Sequence, residues 1–312
     1  MATPMHRASA GVYSLPNELL YHILEPLPTK TILHISPTSR RFHALCVRLL
    51  HNRLASAASL ADHVLYLEAF PPSAKLTATG LYCESLGTPN LHSTLASPDD
   101  AGKIGRLGNL YSCFRPQRAE PPRRPTRRHP AGDIPGSRTF TPPDDAVAEG
   151  STSDGEEREP DLIGETISLD PQELFTQLCA VAHMVKIGRQ GLFTQVVDVC
   201  DGMIRVWRDW LKERAREAPG WPQSSQGPHH PSTDDRTLWV NKGDHTVGVR
   251  CAVTERKWKR DNPVLIASED EVAVSYHIEF QELYIRTSHL LFKLEQARQQ
   301  EDNAPSKAVV FI

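Results

Sequence analysis

Between Ser14 and Leu54 the chain places prolines at 16, 26, 28 and 37. Each removes a backbone donor and clashes with the turn before it, so no long helix can run through this stretch. The apolar spacing nevertheless asks for helix. Leu15, Leu19 and Ile23, with Leu20 and Leu24 beside them, form one broad stripe. Ser14 is placed to cap this helix, Pro16 falls in its first turn and Glu18 favours its N-terminal dipole. Pro26 and Pro28 then end it. A second short helix follows in "TKTILHIS", carried by Ile32, Leu33 and Ile35. Ser36 and Pro37 repeat the cap-then-proline device ahead of "PTSRRFHALCVRLLHNRL". There Phe42, Leu45 and Leu49 share a face, with Arg40, Arg41 and Arg48 supplying charge. Three helices this short cannot bury their own apolar surface, so part of the stripe must meet something else.

These residues resemble an F-box. "LPNELLYHILEPLPTKTILHISPTSRRFHAL" follows that family's order: Leu15, Pro16, Glu18 and Leu19, then Ile23 and Leu24, then Leu27 and Pro28. Ile32, Leu33 and Ile35 come next, and Ser39, Arg40, Phe42 and Leu45 close the pattern. Pro37 and Thr38 depart from it, standing where an apolar residue, commonly Val, is usual. The likeness covers about forty residues of 312. It implies docking on the Skp-type adaptor of a cullin–RING ubiquitin ligase, with the rest of the chain presenting an unknown protein substrate. The residues implied in adaptor binding or the F-box core are Leu15, Pro16, Leu19, Ile23, Leu24, Leu27, Pro28, Ile32, Leu33, Phe42 and Leu45. Such a receptor raises effective concentration and does no chemistry itself. It implies no catalytic residue, cofactor or metal. "ELFTQLC", "IRVWRDWL", "VGVRCAV" and "VSYHIEFQELYIRTSHLLFKLEQ" further resemble the C-terminal half of a group of F-box proteins from filamentous fungi.

The remaining chain divides by composition. Residues 1–13 read as a disordered N-terminus and 14–56 as the three-helix unit. Residues 57–95 hold two apolar runs, "HVLYLEAF" and "GLYCESLG", which need a sheet to join and are expected to pack on the C-terminal region. Residues 96–165 contain "RPQRAEPPRRPTRRHP", with six arginines against one acid, then "PPDDAVAEGSTSDGEEREPD", with eight acids against one arginine. Little there is apolar, so the stretch is expected to be a disordered insertion, and "GKIGRLG" within it a flexible linker. Residues 166–300 are expected to fold and 301–312 to form a tail. Asp170 and Pro171 suggest the start of a helix whose face is Leu174, Leu178, Val181 and Val185, stopped at Gly188. Val196, Val199, Met203, Val206 and Trp210 suggest a second helix, ended by Pro219 and Gly220. "TLWV", "TVGVRCAV" and "PVLIAS" read as strands. Val272, Val274, Tyr276, Ile278 and Phe280 alternate as in a strand, yet Tyr276, Phe280, Leu283, Thr287, Leu290 and Leu294 step as in a helix; the compromise is strand to about residue 280, then helix to about 298. The expected class is α+β: an F-box followed by a mixed helix and strand region with a disordered insertion. "APSKAVVFI" reads as an edge strand or packed terminus.

Other patterns are weighed against plainer readings. Net charge is −3, which gives no global bias toward nucleic acid or anionic membrane. The N-terminal residues show no continuous apolar h-region, no apolar run is long enough to span a bilayer, and no membrane partner is expected. The cysteines at 46, 83, 113, 179, 200 and 251 form no C-x-x-C pair, which points to reduced thiols and a cytoplasmic or nuclear setting. "PPRRPTRRHP" offers nuclear import or nucleic-acid contact, but a solvated basic stretch is the stronger reading. Ser151, Thr152 and Ser153 sit in a kinase-compatible acidic context, as any such serine-rich stretch would. His229 and His230 lack a third ligand in sequence. Asp198, Asp201, Asp209, His183 and His245 show no hydrolase spacing. Trp207, Trp210, Trp221, Trp239 and Trp258 are first of all packing residues, and secondly candidates for a substrate surface. Rival functions are a non-degradative F-box scaffold, a nuclear nucleic-acid-associated protein using the arginine block, and a cryptic enzyme in 166–300.

Overall fold

The computed structural model describes residues 11–60, 62–75, 80–96, 102–118, 163–187, 193–217, 231–256 and 273–303. It divides into one unit formed by Met1–Arg118 with Ile163–Ile312, and a second, Ala119–Leu162, which lies outside the described residues.

The N-terminal segment folds into α1 (Asn17–Leu24), α2 (Thr29–Ile35) and α3 (Arg40–Ala58), cut at the prolines. Two caps differ from expectation. Pro16 itself takes the N-cap position of α1 in extended backbone, while the Ser14 hydroxyl turns back to the Gly11 carbonyl. The cap of α3 is Ser39, whose side chain accepts from the Phe42 N–H at 3.2 Å, and the Ser36 hydroxyl instead donates to Leu33.

The rest is dominated by strands: β1 (His63–Phe70), β2 (Leu81–Gly87), β3 (Tyr111–Arg118), β4 (Gly164–Leu169), β5 (Phe175–Ile187), β6 (Phe193–Trp207), β7 (Thr237–Trp239), β8 (Val247–Arg256) and β9 (Val274–Arg286). Four helices accompany them: α4 (Leu91–Ala96), α5 (Lys103–Gly108), α6 (Arg208–Arg216) and α7 (Thr287–Asn303). All strand pairs are antiparallel, in the order β6-β5-β1-β2-β3-β9-β8-β7. β4 pairs with the first half of β9, on the edge that β3 uses further along. Glycine is required at Gly164, because a Cβ there would lie 2.1 Å from the Ile278 carbonyl oxygen. The class is α+β. "HVLYLEAF" is β1, seated between β2 and β5, so it packs on the C-terminal strands.

Several expectations are corrected. Residues 175–187 and 193–207 are paired strands, not helices, and helix begins only at Arg208. In β5 the inward positions are Leu178, Ala180, Ala182 and Met184, a period of two hidden by its small members, and Leu174 is exposed. In β6 the ladder shifts register at Ala182/His183, where Val199 has no partner across the pair. Such a bulge changes which parity faces inward, from Val197 and Val199 to Ile204 and Val206. A two-period broken by one residue steps by three or four, which is how it resembled a helix. The same happens in β9. The ladder passes from Phe280 to Glu282 opposite Cys251 and Arg250, leaving Gln281 unpaired, and the core positions change from Tyr276, Ile278 and Phe280 to Leu283 and Ile285. The strand therefore continues to Arg286, and helix starts at Thr287, not near 280.

Asp170 and Pro171 form a turn rather than a helix start. The Asp170 N–H donates to the Glu173 carboxylate at 2.9 Å, and buried Arg208 donates to the Asp170 and Glu173 carbonyls. "GKIGRLG" contains α5, which buries Leu107, and β3 reaches Arg118, with β4 following after Ile163. The expected insertion at 96–165 is thus structured over 102–118 and 163–165. "PVLIAS", residues 119–162, His229, His230, Trp221, Trp258 and the tail at 304–312 lie outside the described residues.

One core runs through both parts, from Leu20, Ile32 and Leu49 to Leu65, Leu178, Ile278 and Leu290. α7 carries Leu290, Leu291, Leu294 and Ala297 into it, beside Leu49 and Leu54 of α3.

Candidate functional site

The stripe of α1 divides when the three helices pack. Leu20 and Leu24 point inward and are buried with Ile32 and Leu45; Leu15, Leu27, Leu33 and Phe42 are half-buried against them. Leu19 remains 49% exposed and Ile23 55%, one turn apart on the outward face. Pro16 and Pro28 are exposed, and so is Val12 just before the helix. Of the eleven sequence candidates, then, Leu24, Ile32 and Leu45 are core and Pro16, Leu19, Ile23 and Pro28 form surface. Pairs of large exposed aliphatics on one helical face mark an interface more often than a chance exposure.

Arg41 holds the start of this ridge. Its guanidinium donates to the Asn17 side-chain oxygen at 2.8 Å and to the Leu15 carbonyl, tying α3 to the first turn of α1. Asn52 donates to the Tyr21 hydroxyl at 3.0 Å on the same helix pair.

The other end is held by residues the sequence did not single out. Arg53 of α3 donates to the carbonyls of Glu25 and Leu27, which close α1, and to the Thr29 hydroxyl. It also pairs with Glu295 of α7 at 3.0 Å, both side chains being mostly buried. Glu295 in turn accepts from the Thr29 N–H and hydroxyl, so a carboxylate from the far end of the chain caps α2. No local pattern announces this cap, since Thr29 and Glu295 are 266 residues apart. The exposed ridge is therefore held rigidly against the strand-rich part.

The titratable candidates do not gather. His183 and Asp198 face each other across β5 and β6, Nδ1 to Oδ1 2.8 Å, but no hydroxyl or thiol bonds this histidine among the described residues. Asp201 is on the outer face of β6, Asp209 in the first turn of α6, and His245 stacks on Trp239. Trp207 ends β6 and Trp210 lies in α6, its Nε1 donating to the Asp235 carbonyl, so the two are not neighbours on one helix. The six cysteines are free thiols. Burial pushes Cys200 up to about 11 and Cys113 up to about 12, which makes them poor nucleophiles at neutral pH. Among the described residues no three His, Cys, Asp or Glu side chains are grouped to hold a metal ion, and no helix is long and apolar enough to cross a membrane.

A pinned three-helix unit with an outward aliphatic ridge is a protein-docking module. Residues 12–56 match the F-box-like family model, so this part of the chain is an F-box-like domain. No curated protein and no solved structure matches the chain.

Proposed function

We propose that the chain is the substrate-receptor subunit of an SCF-type cullin–RING ubiquitin ligase. The α1 ridge binds the Skp-type adaptor, which carries the cullin, and the strand-rich part holds a target protein. The observation that carries this reading is the exposure of Leu19 and Ile23 on a helix whose neighbouring Leu20 and Leu24 are buried. The F-box-like match over residues 12–56 supports the same assignment. The chain acts as a non-catalytic subunit, and its six free thiols fit the reducing cytosol or nucleus.

The test is co-purification with a Skp-type adaptor, comparing the native chain with Leu19→Asp/Ile23→Asp. Both side chains are exposed, so the fold should survive while a buried charge at the interface weakens adaptor capture by about a hundredfold or more. Undiminished capture by the double variant would sink the docking surface. Capture without ubiquitin transfer to any bound protein would remove the receptor role and leave a scaffold.

A further inference from the structure

The two ends of the sheet are free edges that come together. Among the described residues β6 pairs only with β5, and β7 only with β8. Gly202 of β6 and Val240 just after β7 approach closely, since a Cβ on Gly202 would lie 2.5 Å from the Val240 side chain. Beyond that point a cleft of about 370 Å³ opens. Ile204, Val206 and Leu238 form its apolar floor, and Trp207, Trp210 and Trp239 its walls.

The ladder fixes which backbone groups face the cleft. The Arg208 N–H bonds the Leu174 carbonyl, and the Val240 N–H bonds the Val247 carbonyl. Alternation along antiparallel strands then turns the main-chain groups of Met203 and Arg205, and those of Trp239, away from their ladders. The Thr237 hydroxyl at the cleft is buried with no hydrogen-bond partner among the described residues. Met203 is 58% exposed and Trp207 42%, large side chains left uncovered at this edge.

The charge is one-sided. Arg205 lies over the rings of Phe175 and Trp207, at 4.5 and 5.8 Å from their centroids, and pairs with no carboxylate among the described residues. Lys242 lines the same cleft, and among the described residues it has no ion pair and no Asp or Glu lines the cleft.

Resting on the receptor reading above, we infer that this cleft takes an extended acidic peptide of the target protein as an added strand. Its backbone bonds the outward groups of β6 and β7, an aromatic or aliphatic side chain sits among the three tryptophans, and its carboxylates meet Arg205 and Lys242. Single-stranded nucleic acid is the competing occupant of an aromatic, cationic groove. Two cations offer little to a phosphate backbone, whereas unpaired strand edges match a peptide.

The experiment screens the full chain against a positional library of short unphosphorylated peptides by fluorescence polarisation, with oligothymidylate carrying the same label beside it. Enrichment of acidic side chains around one aromatic or aliphatic position is expected. Arg205→Glu/Lys242→Glu, both at the surface, should weaken the selected peptide by about tenfold or more, and N-methylation of alternate peptide amides should do the same. Absence of enrichment, selection of basic peptides, tighter binding of oligothymidylate, or indifference to either change would overturn the assignment. Adaptor co-purification is measured on the same preparations. Its failure beside intact peptide binding would discard the receptor reading alone, and the reverse would discard the cleft alone.

Discussion

Arg53 joins three backbone or hydroxyl acceptors and one carboxylate in a nearly closed site. Removing it leaves Glu295 without its cation and the Glu25 and Leu27 carbonyls without this donor, and an uncompensated, poorly hydrated charge is more costly than the pair was favourable. Arg53→Ala should therefore cost about 2–4 kcal/mol in urea unfolding. Glu295→Gln, which can still accept from Thr29, should cost less. Equal losses would show that the ion pair rather than the capping dominates. His63 makes a pH prediction. Its ring is largely shielded, and burial lowers its pKa below the ordinary 6.5, outweighing the Leu60 backbone and Gln195 side-chain contacts that raise it. Above that value the ring is neutral whether folded or unfolded. As pH falls through 6.5 toward the lower folded value, the unfolded chain takes up the proton first, so stability declines. Thermal melts across this window should show His63→Gln losing less stability on acidification than the native chain. An unchanged slope would clear His63 of any role.

Among the elements, α3 has a clear local determinant and α7 has none. The Ser39 hydroxyl satisfies the Phe42 N–H at the start of α3, and Ser39→Ala should cost about 1 kcal/mol, read by the same unfolding assay. α7 instead depends on where it lies. Its buried face, Leu290, Leu291, Leu294 and Ala297, is shared between α3 and the sheet. Leu294→Asp should lower the cooperative unfolding transition of the F-box and the strands together. Two separate transitions would show that the core is not continuous. The strands explain why element type was hard to read. In β6 and β9 a single unpaired residue, Val199 or Gln281, reverses inward parity and leaves apolar residues three or four apart. Periodicity alone then cannot separate a bulged strand from an amphipathic helix.

For the molecule as a whole, the folded unit is assembled from both sides of Ala119–Leu162. β3 and β4, which flank that segment, share one edge of β9. Their attachment is thus set by β9 and not by the segment between them. Replacing residues 119–162 with a short Gly/Ser linker should leave the unfolding midpoint of the remaining unit, and its adaptor capture, near those of the native chain. A large fall in midpoint would show that the segment contributes to the fold.

The amino-acid sequence determined the F-box helices, because prolines cut them locally and leucine spacing marked one face. It also determined β7 and β8, where β-branched and aromatic residues agree with their pairing. Tertiary structure decided the rest. Whether Leu19 faces solvent and Leu20 the core depends on how α1 meets α3, and the cap of α2 depends on Glu295 arriving from α7. β5 and β6 became strands because each supplies the other's backbone partners over nearly its full length, a pairing energy that no local window contains. The meeting of the β6 and β7 edges follows from eight strands in one order, and so is a property of the sheet and of no single segment.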